Sequence, residues 1–249
     1  MQPRVSVILA TKDRPRFLSI ALRCYQHQTY PNRELIVIDD GQDFPVEPQL
    51  IESIGGRLIR LEDDTILGTK MNIGIEQASG PLCQKMDDDD WYGPSFLETM
   101  VNEFFKDQRH VCRPTMTFAS PFNFFELGPW EIRRSVTNNV PGATLLFDRE
   151  SWRERPFRNI PRDEDVWFFF DHLRRGTHLV PVDIGLEYLA VRHRGTVGDR
   201  GHTWTHQAGE ETLEDYLRDR PLQHTYPEAF LPDWALSIYQ DIQREINGA

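Results

Sequence analysis

The chain has 249 residues, of which 39% are hydrophobic and 11% aromatic, enough for a packed globular core. Its formal net charge of −11 argues against a nucleic-acid partner, because nucleic acids require a basic face. Three widely spaced cysteines indicate reduced thiols and favour neither a disulfide framework nor a zinc site. No apolar run approaches the ~20 residues of a membrane-spanning helix and no signal peptide is evident. We therefore expect a cytoplasmic protein and leave peripheral membrane association open.

The first hundred residues alternate between strand and helix patterns. A β-branched and nearly all apolar run predicts a strand at 5–10, and further strands are predicted at 34–41, 80–86 and, more weakly, 57–61. Apolar residues at helical spacing predict helices that begin near Pro15, Gly68 and Ser95. Units that alternate in this way predict an α/β fold, with a mostly parallel sheet covered by helices on both faces.

Beyond residue 110 the patterns are weaker. Further strands are predicted at 111–119, 142–147, 178–182 and 186–191, and a helix at 163–175. Residues 120–139 show no clear period, and 195–206 have the composition of a loop. The remainder is predicted to be helical and is interrupted by three prolines. We therefore predict one domain over 1–206, followed by a C-terminal helical extension over 207–249.

The run Asp87-Asp88-Asp89-Asp90 carries the strongest chemical signal in the chain. Adjacent carboxylates repel one another by about 1 kcal/mol per pair in water, so solvent or a cation must offset their charge. The run follows a predicted strand and precedes a predicted helix, where open α/β sheets bind ligands. Because Mg²⁺ and Mn²⁺ prefer oxygen ligands, we predict a divalent metal and, through it, a phosphate-bearing substrate. The alternatives are a solvated acidic turn and an adventitious cation site.

The order of these elements resembles the family 2 glycosyltransferases of the GT-A fold, over residues 4–195. The resemblance rests on several segments in a fixed order: 5–11 with Arg14, 28–30, 34–41, 72–74, 78–80, 87–91 with Pro94, and Glu164-Asp165 with Arg174 and Gly176. It implies a Rossmann-like sheet with a nucleotide-binding half at 1–110 and an acceptor half at 111–206. It also implies a nucleotide-sugar donor, for which UDP-sugar is favoured, a glycan or other hydroxyl-bearing acceptor, Mn²⁺ or Mg²⁺, and transfer with inversion.

The resemblance assigns roles within the acidic run. Asp87 and Asp89 match the two carboxylates of the D-x-D motif, with Asp87 near the ribose and Asp89 on the metal. Asp88 stands where the family commonly has a small neutral residue, so the metal ligand stays open between Asp88 and Asp89. Some relatives supply a third metal ligand after a late strand, and His193 is the favoured candidate, with His202 and His206 as rivals.

Other positions that the resemblance places against the nucleotide lie at strand ends and on one helix. They are Ala10, Thr11, Asp39, Asp40, Lys70 and Asn72. A carboxylate accepts hydrogen bonds from an imide N–H or a ribose hydroxyl, which suits the two aspartates. The alternatives are an ordinary Asp-Asp-Gly turn and solvated side chains on the surface of a helix.

Glu164-Asp165 forms the second acidic site. In the family, the second residue of this pair takes a proton from the acceptor hydroxyl, so we predict Asp165 as the general base and Glu164 as an orienting or structural residue. First-turn carboxylates also stabilise a helix dipole, which is the alternative.

Two other classes of protein share such a sheet. A sugar-phosphate nucleotidyltransferase usually carries a glycine-rich loop after the first strand, where this chain has Thr11-Lys12-Asp13-Arg14-Pro15 and no glycine. A non-catalytic GT-A-like module that binds nucleotide or glycan is the second, and it would not need both acidic sites.

Overall fold

The computed structural model describes residues 2–108, 113–134, 140–193 and 226–248. The strands are β1 (Val5–Thr11), β2 (Arg33–Asp39), β3 (Arg57–Arg60), β4 (Leu82–Asp87), β5 (Trp91–Tyr92), β6 (Thr115–Ala119), β7 (Asn123–Glu126), β8 (Glu131–Arg134), β9 (Leu146–Asp148), β10 (His178–Val182) and β11 (Tyr188–Arg192). The helices are α1 (Pro15–His27), α2 (Pro48–Glu52), α3 (Leu67–Glu76), α4 (Phe96–Gln108), α5 (Arg149–Glu154), α6 (Glu164–Arg174) and α7 (Asp233–Ile246).

The main sheet has seven strands in the order β10-β6-β9-β4-β1-β2-β3. Every pairing in it is parallel except those of β9, which runs antiparallel to β4 and to β6. A second sheet has four short strands in the order β5-β11-β7-β8. The predicted α/β fold with a mostly parallel central sheet is confirmed.

The two faces of the main sheet pack against different helices. On β1, Val5, Val7 and Leu9 point into the cluster that contains the apolar face of α1. Ile8, between them, points into the cluster that contains Met71 of α3. Because successive strand residues face opposite sides, a strand buried on both faces is apolar almost throughout. This explains the continuous apolar runs in the sequence.

The C-terminal helix α7 packs into the main core. Ala235, Tyr239 and Ile242 are buried in the cluster that also holds α1, and the rings of Tyr239 and Phe125 lie 5.3 Å apart. Among the described helices, none combines the length and the apolarity that crossing a bilayer needs. Residues 194–225, which include the whole loop predicted at 195–206 and the first part of the extension predicted at 207–249, lie outside the described residues.

Two regions of the second half differ from the sequence predictions. The strand predicted at 142–147 is wrong in its first part, where Gly142–Thr144 form a 3₁₀ turn before β9. The Thr144 hydroxyl holds this turn, because it donates to the carbonyl of Pro141 at 2.9 Å and accepts from the amide of Ala119 at 3.0 Å. The segment without a clear period contains β7 and β8, and every residue of β7 is buried, so alternation is absent.

Candidate active site

Three parallel strands end at one edge of the main sheet and bring the predicted site residues together. In the strand register, Thr11 of β1 lies opposite Asp39 of β2, and Ala10 lies opposite Asp87 of β4. Carboxyl ends of neighbouring parallel strands form the crevice in which such sheets bind ligands. Residues far apart in sequence therefore converge at this edge.

Asp88 and Asp89 of the acidic run are buried and pair with side chains at the end of β1 and at the residue that precedes α1. Asp88 and Asp89 are each 3% exposed. Asp88 accepts hydrogen bonds from the Thr11 hydroxyl at 2.7 Å and from Arg14 Nη1 at 2.9 Å. The same Arg14 nitrogen lies 2.9 Å from Asp89 Oδ2. Burial lowers the pKa of Arg14, but the charges of Asp88 and Asp89 outweigh it and raise that pKa. The run is therefore not a solvated turn.

Asp90 binds the second sheet. Its carboxylate accepts hydrogen bonds from the Tyr188 hydroxyl at 2.6 Å and from the backbone amide of Val191 at 2.9 Å. Burial, with the nearby charges of Asp89 and Asp87, raises the pKa of Asp90 well above its ordinary value. Asp90 thus ties β11 to the end of β4 and helps to fix the position of His193, which directly follows β11.

Oxygen and nitrogen ligands suited to a hard cation meet around Asp89. Ligand atoms of Asp87, Asp89 and Asp90 lie within 4.8 Å of one another. His193 follows β11, and its Nε2 lies 3.2 Å from Asp89 Oδ2. The imidazole stacks on Phe17 with ring centroids 4.0 Å apart, which fixes its orientation. Carboxylate oxygens with one imidazole form a donor set that fits Mn²⁺ or Mg²⁺. His202 and His206 lie outside the described residues.

The aspartates after β2 are completely buried and organise the backbone around them. Asp39 accepts hydrogen bonds from the backbone amides of Gly41 and Val46, both at 2.8 Å, and also pairs with Arg60. Asp40 accepts from the amide of Thr65 at 2.8 Å and forms an ion pair with Lys70.

Lys70 connects the β1 and β2 ends from α3. Besides its ion pair with Asp40, its Nζ lies 3.3 Å from the carbonyl oxygen of Thr11. Only 5% of Lys70 is exposed, so it is a buried cation and not a solvated helix residue. Ala10 is half-buried beside it at the end of β1. Ala10, Thr11, Asp40 and Lys70 thus line one part of the crevice.

Asn72, two residues further along α3, binds a different part of the molecule. Its Oδ1 accepts from Trp152 Nε1 at 2.8 Å and from the amide of Phe157 at 3.0 Å, while its Nδ2 donates to the carbonyl of Phe157 at 2.8 Å. The side-chain amide is therefore engaged in fastening α5 and the loop after it to α3. The structure does not bring it together with the strand-end carboxylates.

The second acidic site begins α6. Glu164 is 7% exposed, and burial raises its pKa to about 7, although the charge of Lys85 opposes the increase. Burial also raises the pKa of Asp165, again against the charge of Lys85. Asp165 Oδ1 accepts a hydrogen bond from the amide of Val166 at 2.7 Å. A Cβ on Gly142 would lie 1.8 Å from Asp165 Oδ2, so this carboxylate packs directly on the turn before β9.

Lys85 lies between the two acidic sites. It is 1% exposed on β4 and forms an ion pair with Asp87. Burial lowers its pKa, but the charges of Asp87, Glu164 and Asp165 outweigh burial and raise it above the ordinary value. One buried ammonium therefore interacts with the predicted donor site and with the predicted base.

Three charged residues of the site received no individual role from the sequence. They are Arg14, Lys85 and Asp90. Lys85 leaves a recognisable signal, since a lysine within an otherwise apolar strand of a parallel sheet must find a buried counter-charge. The partners of Arg14 and Asp90 are distant in sequence and have no comparable local signal.

Comparison with known proteins identifies the family. A family model described as glycosyl transferase family 2 matches residues 6–168. The chain belongs to this family. A glycosyltransferase of uncharacterized specificity from Haemophilus influenzae is 30% identical over 190 residues, which cover 69% of this chain and 72% of the relative. A UDP-Gal:alpha-D-GlcNAc-diphosphoundecaprenol beta-1,3-galactosyltransferase from Escherichia coli is 27% identical, over 63% of this chain and 56% of that protein.

Solved structures of low sequence identity share the fold. S. aureus TarS 1–349 in complex with UDP-GlcNAc has a TM-score of 0.60 at 15% identity, over 77% of this chain and 59% of that chain. The mannosyltransferase PcManGT from Pyrobaculum calidifontis, in complex with GDP-Man and Mn²⁺, has a TM-score of 0.59 at 16% identity, over 96% of this chain and 70% of that chain. This family 2 glycosyltransferase therefore has the predicted GT-A fold. Other curated relatives match over as little as 15% of their own length.

Proposed function

We propose that this chain transfers a sugar from a nucleotide diphosphate, with UDP favoured, to an acceptor hydroxyl with inversion at the anomeric carbon. The observation that carries the proposal is the buried ammonium of Lys85, which forms an ion pair with Asp87 of the acidic run and whose pKa is raised by the charge of Asp165 on α6. A transferase needs its donor site and its base next to each other, and a binding module has no such need.

The proposed donor site is the crevice at the ends of β1, β2 and β4. Thr11, Asp40 and Lys70 lie there with the acidic run, and Asp87 is the half-exposed member of that run. The named donors of similar proteins include UDP-Gal, UDP-GlcNAc and GDP-Man, so both nucleotides belong in a test. We leave Asn72 out of the donor site, because its amide already binds the segment at 152–157.

Asp89 and His193, with the carboxylate of Asp87 close by, would hold a divalent cation. Such a cation supplies positive charge that neutralises the leaving nucleoside diphosphate. We favour Asp89 over Asp88 as the ligand, since Asp89 belongs to the group of carboxylates that could surround an ion, whereas Asp88 binds the Thr11 hydroxyl and is not part of that group. Asp88 then serves to position Arg14 and the end of β1.

Asp165 is the proposed general base. Its Oδ1 is held by the amide of Val166, whereas its Oδ2 accepts no hydrogen bond from the described residues. Oδ2 would take the proton of the acceptor hydroxyl as the hydroxyl attacks from the face opposite the leaving group. A pKa raised by burial makes a carboxylate a stronger base at neutral pH. Glu164, buried beside it, would orient the base and share its proton.

Calorimetric titration tests the donor site. UDP and GDP are titrated with and without Mn²⁺ into the wild type, Asp89→Ala and Asp241→Ala, the last being an exposed aspartate on α7. We expect Mn²⁺-dependent binding of one nucleotide, lost in Asp89→Ala and retained in Asp241→Ala. Failure of both nucleotides to bind under every metal condition would refute the donor assignment.

The base is tested with Asp165→Asn, by measuring release of the nucleotide from a panel of nucleotide sugars. We expect kcat to fall by about 100-fold or more, because general base catalysis is lost, while nucleotide affinity stays unchanged. If the wild type binds nucleotide but releases none from any donor or with any acceptor, the chain is a binding module.

A further inference from the structure

Helix α6 presents an apolar stripe to solvent. Val166, Phe170 and Leu173 are 42%, 42% and 46% exposed, and Trp167 beside them is 36% exposed. Spacings of three and four residues place these side chains on one face of the helix. The opposite face is buried through Phe168 and His172. A surface helix is normally polar on its outer face, so this contiguous patch indicates a binding surface.

A basic cavity adjoins this stripe. It has a volume of about 550 Å³ and is lined by four arginines, Arg155, Arg158, Arg174 and Arg175, together with Asp171. Arg158 forms a bidentate pair with Asp171, with nitrogen–oxygen distances of 2.8 and 2.7 Å. Glu154 lies 2.7 Å from Arg175. The two carboxylates offset half of the arginine charge, which leaves a local positive excess in a chain whose net charge is −11.

The stripe and the cavity form one surface. The guanidinium carbon of Arg158 lies 4.2 Å from the centroid of the Trp167 ring, and that of Arg174 lies 5.7 Å from it. The exposed indole thus stands between the apolar side chains and the arginines. Aliphatic side chains beside tryptophan and arginine are characteristic of protein segments that lie in the interface of a lipid bilayer.

We propose that this α6 surface docks onto a bilayer that contains anionic phospholipid. The apolar stripe would enter the acyl boundary, while the arginines of the cavity would bind lipid phosphate groups. The net negative charge of the chain opposes attraction at long range. Within the Debye length of about 8 Å at physiological salt, however, the local arginines decide the sign of the interaction. A symmetric dimer would place this positive surface against its own copy, so charge complementarity favours an anionic lipid surface over a second copy of this chain.

The position of the surface has a consequence for the acceptor. Asp165 directly precedes Val166, so docking would bring the proposed base to the bilayer. If the chain is the proposed transferase, an acceptor hydroxyl at the bilayer would be carried by a lipid. The assignment of a lipid-linked hydroxyl as the acceptor class therefore rests on the proposed function. The docking itself does not depend on catalysis.

Sedimentation with vesicles tests the docking surface. The full chain is mixed with vesicles of phosphatidylcholine alone or with added phosphatidylglycerol. The variants are Phe170→Ser and Arg174→Glu, with Leu50→Ser on α2 and Arg57→Glu on β3 as exposed controls. We expect binding to the anionic vesicles that weakens with salt and falls about tenfold in each α6 variant. The controls should bind like the wild type. Thermal melts of all variants identify any that fail to fold.

Four results would overturn the proposal. The first is no sedimentation of the wild type with anionic vesicles, and the second is equal binding to both kinds of vesicle. The third is an equal loss of binding in the α6 variants and the controls. The fourth is a dimer in sedimentation velocity that Phe170→Ser dissociates, because the stripe would then serve self-association. Nucleotide titration of the same preparations separates this proposal from the proposed function, since either can fail while the other holds.

Discussion

Replacing Glu164 with glutamine should stabilise the protein at alkaline pH. Burial raises the pKa of this carboxyl from an ordinary 4.5 to about 7 in the folded state. A proton is therefore held more tightly by the folded chain than by the unfolded chain. The resulting contribution to stability is complete below pH 4.5 and is lost as the pH rises through 7. Glutamine remains neutral throughout, so Glu164→Gln abolishes this loss.

The size of the effect follows from the two pKa values. Each tenfold change in proton affinity corresponds to about 1.4 kcal/mol. The pKa of Glu164 is 4.5 in the unfolded chain and about 7 in the folded chain, so its contribution to the free energy of unfolding falls by roughly 2.5 kcal/mol between pH 5 and pH 8. In a domain of 249 residues this corresponds to a change of about 5–10 °C in Tm.

Urea unfolding followed by tryptophan fluorescence at pH 5 and pH 8 measures this difference. At each pH, the unfolding free energy of the wild type is subtracted from that of Glu164→Gln. We expect this difference to be about 2 to 3 kcal/mol larger at pH 8 than at pH 5. Glu52→Gln, an exposed carboxylate at the end of α2, is the matched control and should behave like the wild type at both pH values. Equal pH dependence in the wild type and Glu164→Gln would show that Glu164 is already ionised in the folded state near pH 5.

Three further substitutions test individual contacts of the site. Gly142→Ala places a Cβ 1.8 Å from Asp165 Oδ2, so the carboxylate must move, and we expect kcat to fall about 100-fold with unchanged affinity for UDP. Asn72→Ala removes hydrogen bonds to the segment at 152–157 and should lower the unfolding free energy by about 2–4 kcal/mol without weakening UDP binding. Lys85→Met removes the charge that favours ionised carboxylates at 164 and 165, so the acidic limb of the pH–kcat profile should move to higher pH.

The sequence predicted the sheet and the residues at its strand ends because both leave local signals. A strand buried on both faces is largely apolar, so β1 and most of β2 are recognisable as short apolar runs, whereas β4 also carries Gln84 and Lys85 and has a weaker signal. The residues that follow such runs lie at the carboxyl edge of a parallel sheet whatever the rest of the chain does. Thr11, Asp39 and Asp87 were therefore placed correctly at one edge without any knowledge of tertiary contacts.

The partners of those residues could not be predicted, because they depend on packing between distant segments. Arg14 is separated from Asp88 by 74 positions, and Tyr188 from Asp90 by 98. Asn72 shows the same limit. It lies on the expected helix, but its amide binds a loop 85 positions away. The first part of the strand predicted at 142–147 failed because packing against Asp165 and the Thr144 hydrogen bonds favour a turn there.

The internal cations explain how the fold retains so much negative charge at one edge. A buried carboxylate that lacks a counter-charge costs several kcal/mol, so ionised carboxylates of the run need a cation close by in the folded state. Arg14 supplies one for Asp88 and Asp89, and Lys85 supplies one for Asp87. Because Arg14 already bonds the Asp89 oxygen that faces His193, a metal ion at this carboxylate would compete with a guanidinium and not with water alone. The affinity of the site for a cation thus depends in part on how readily Arg14 gives up its contact with Asp89 and keeps only its contact with Asp88.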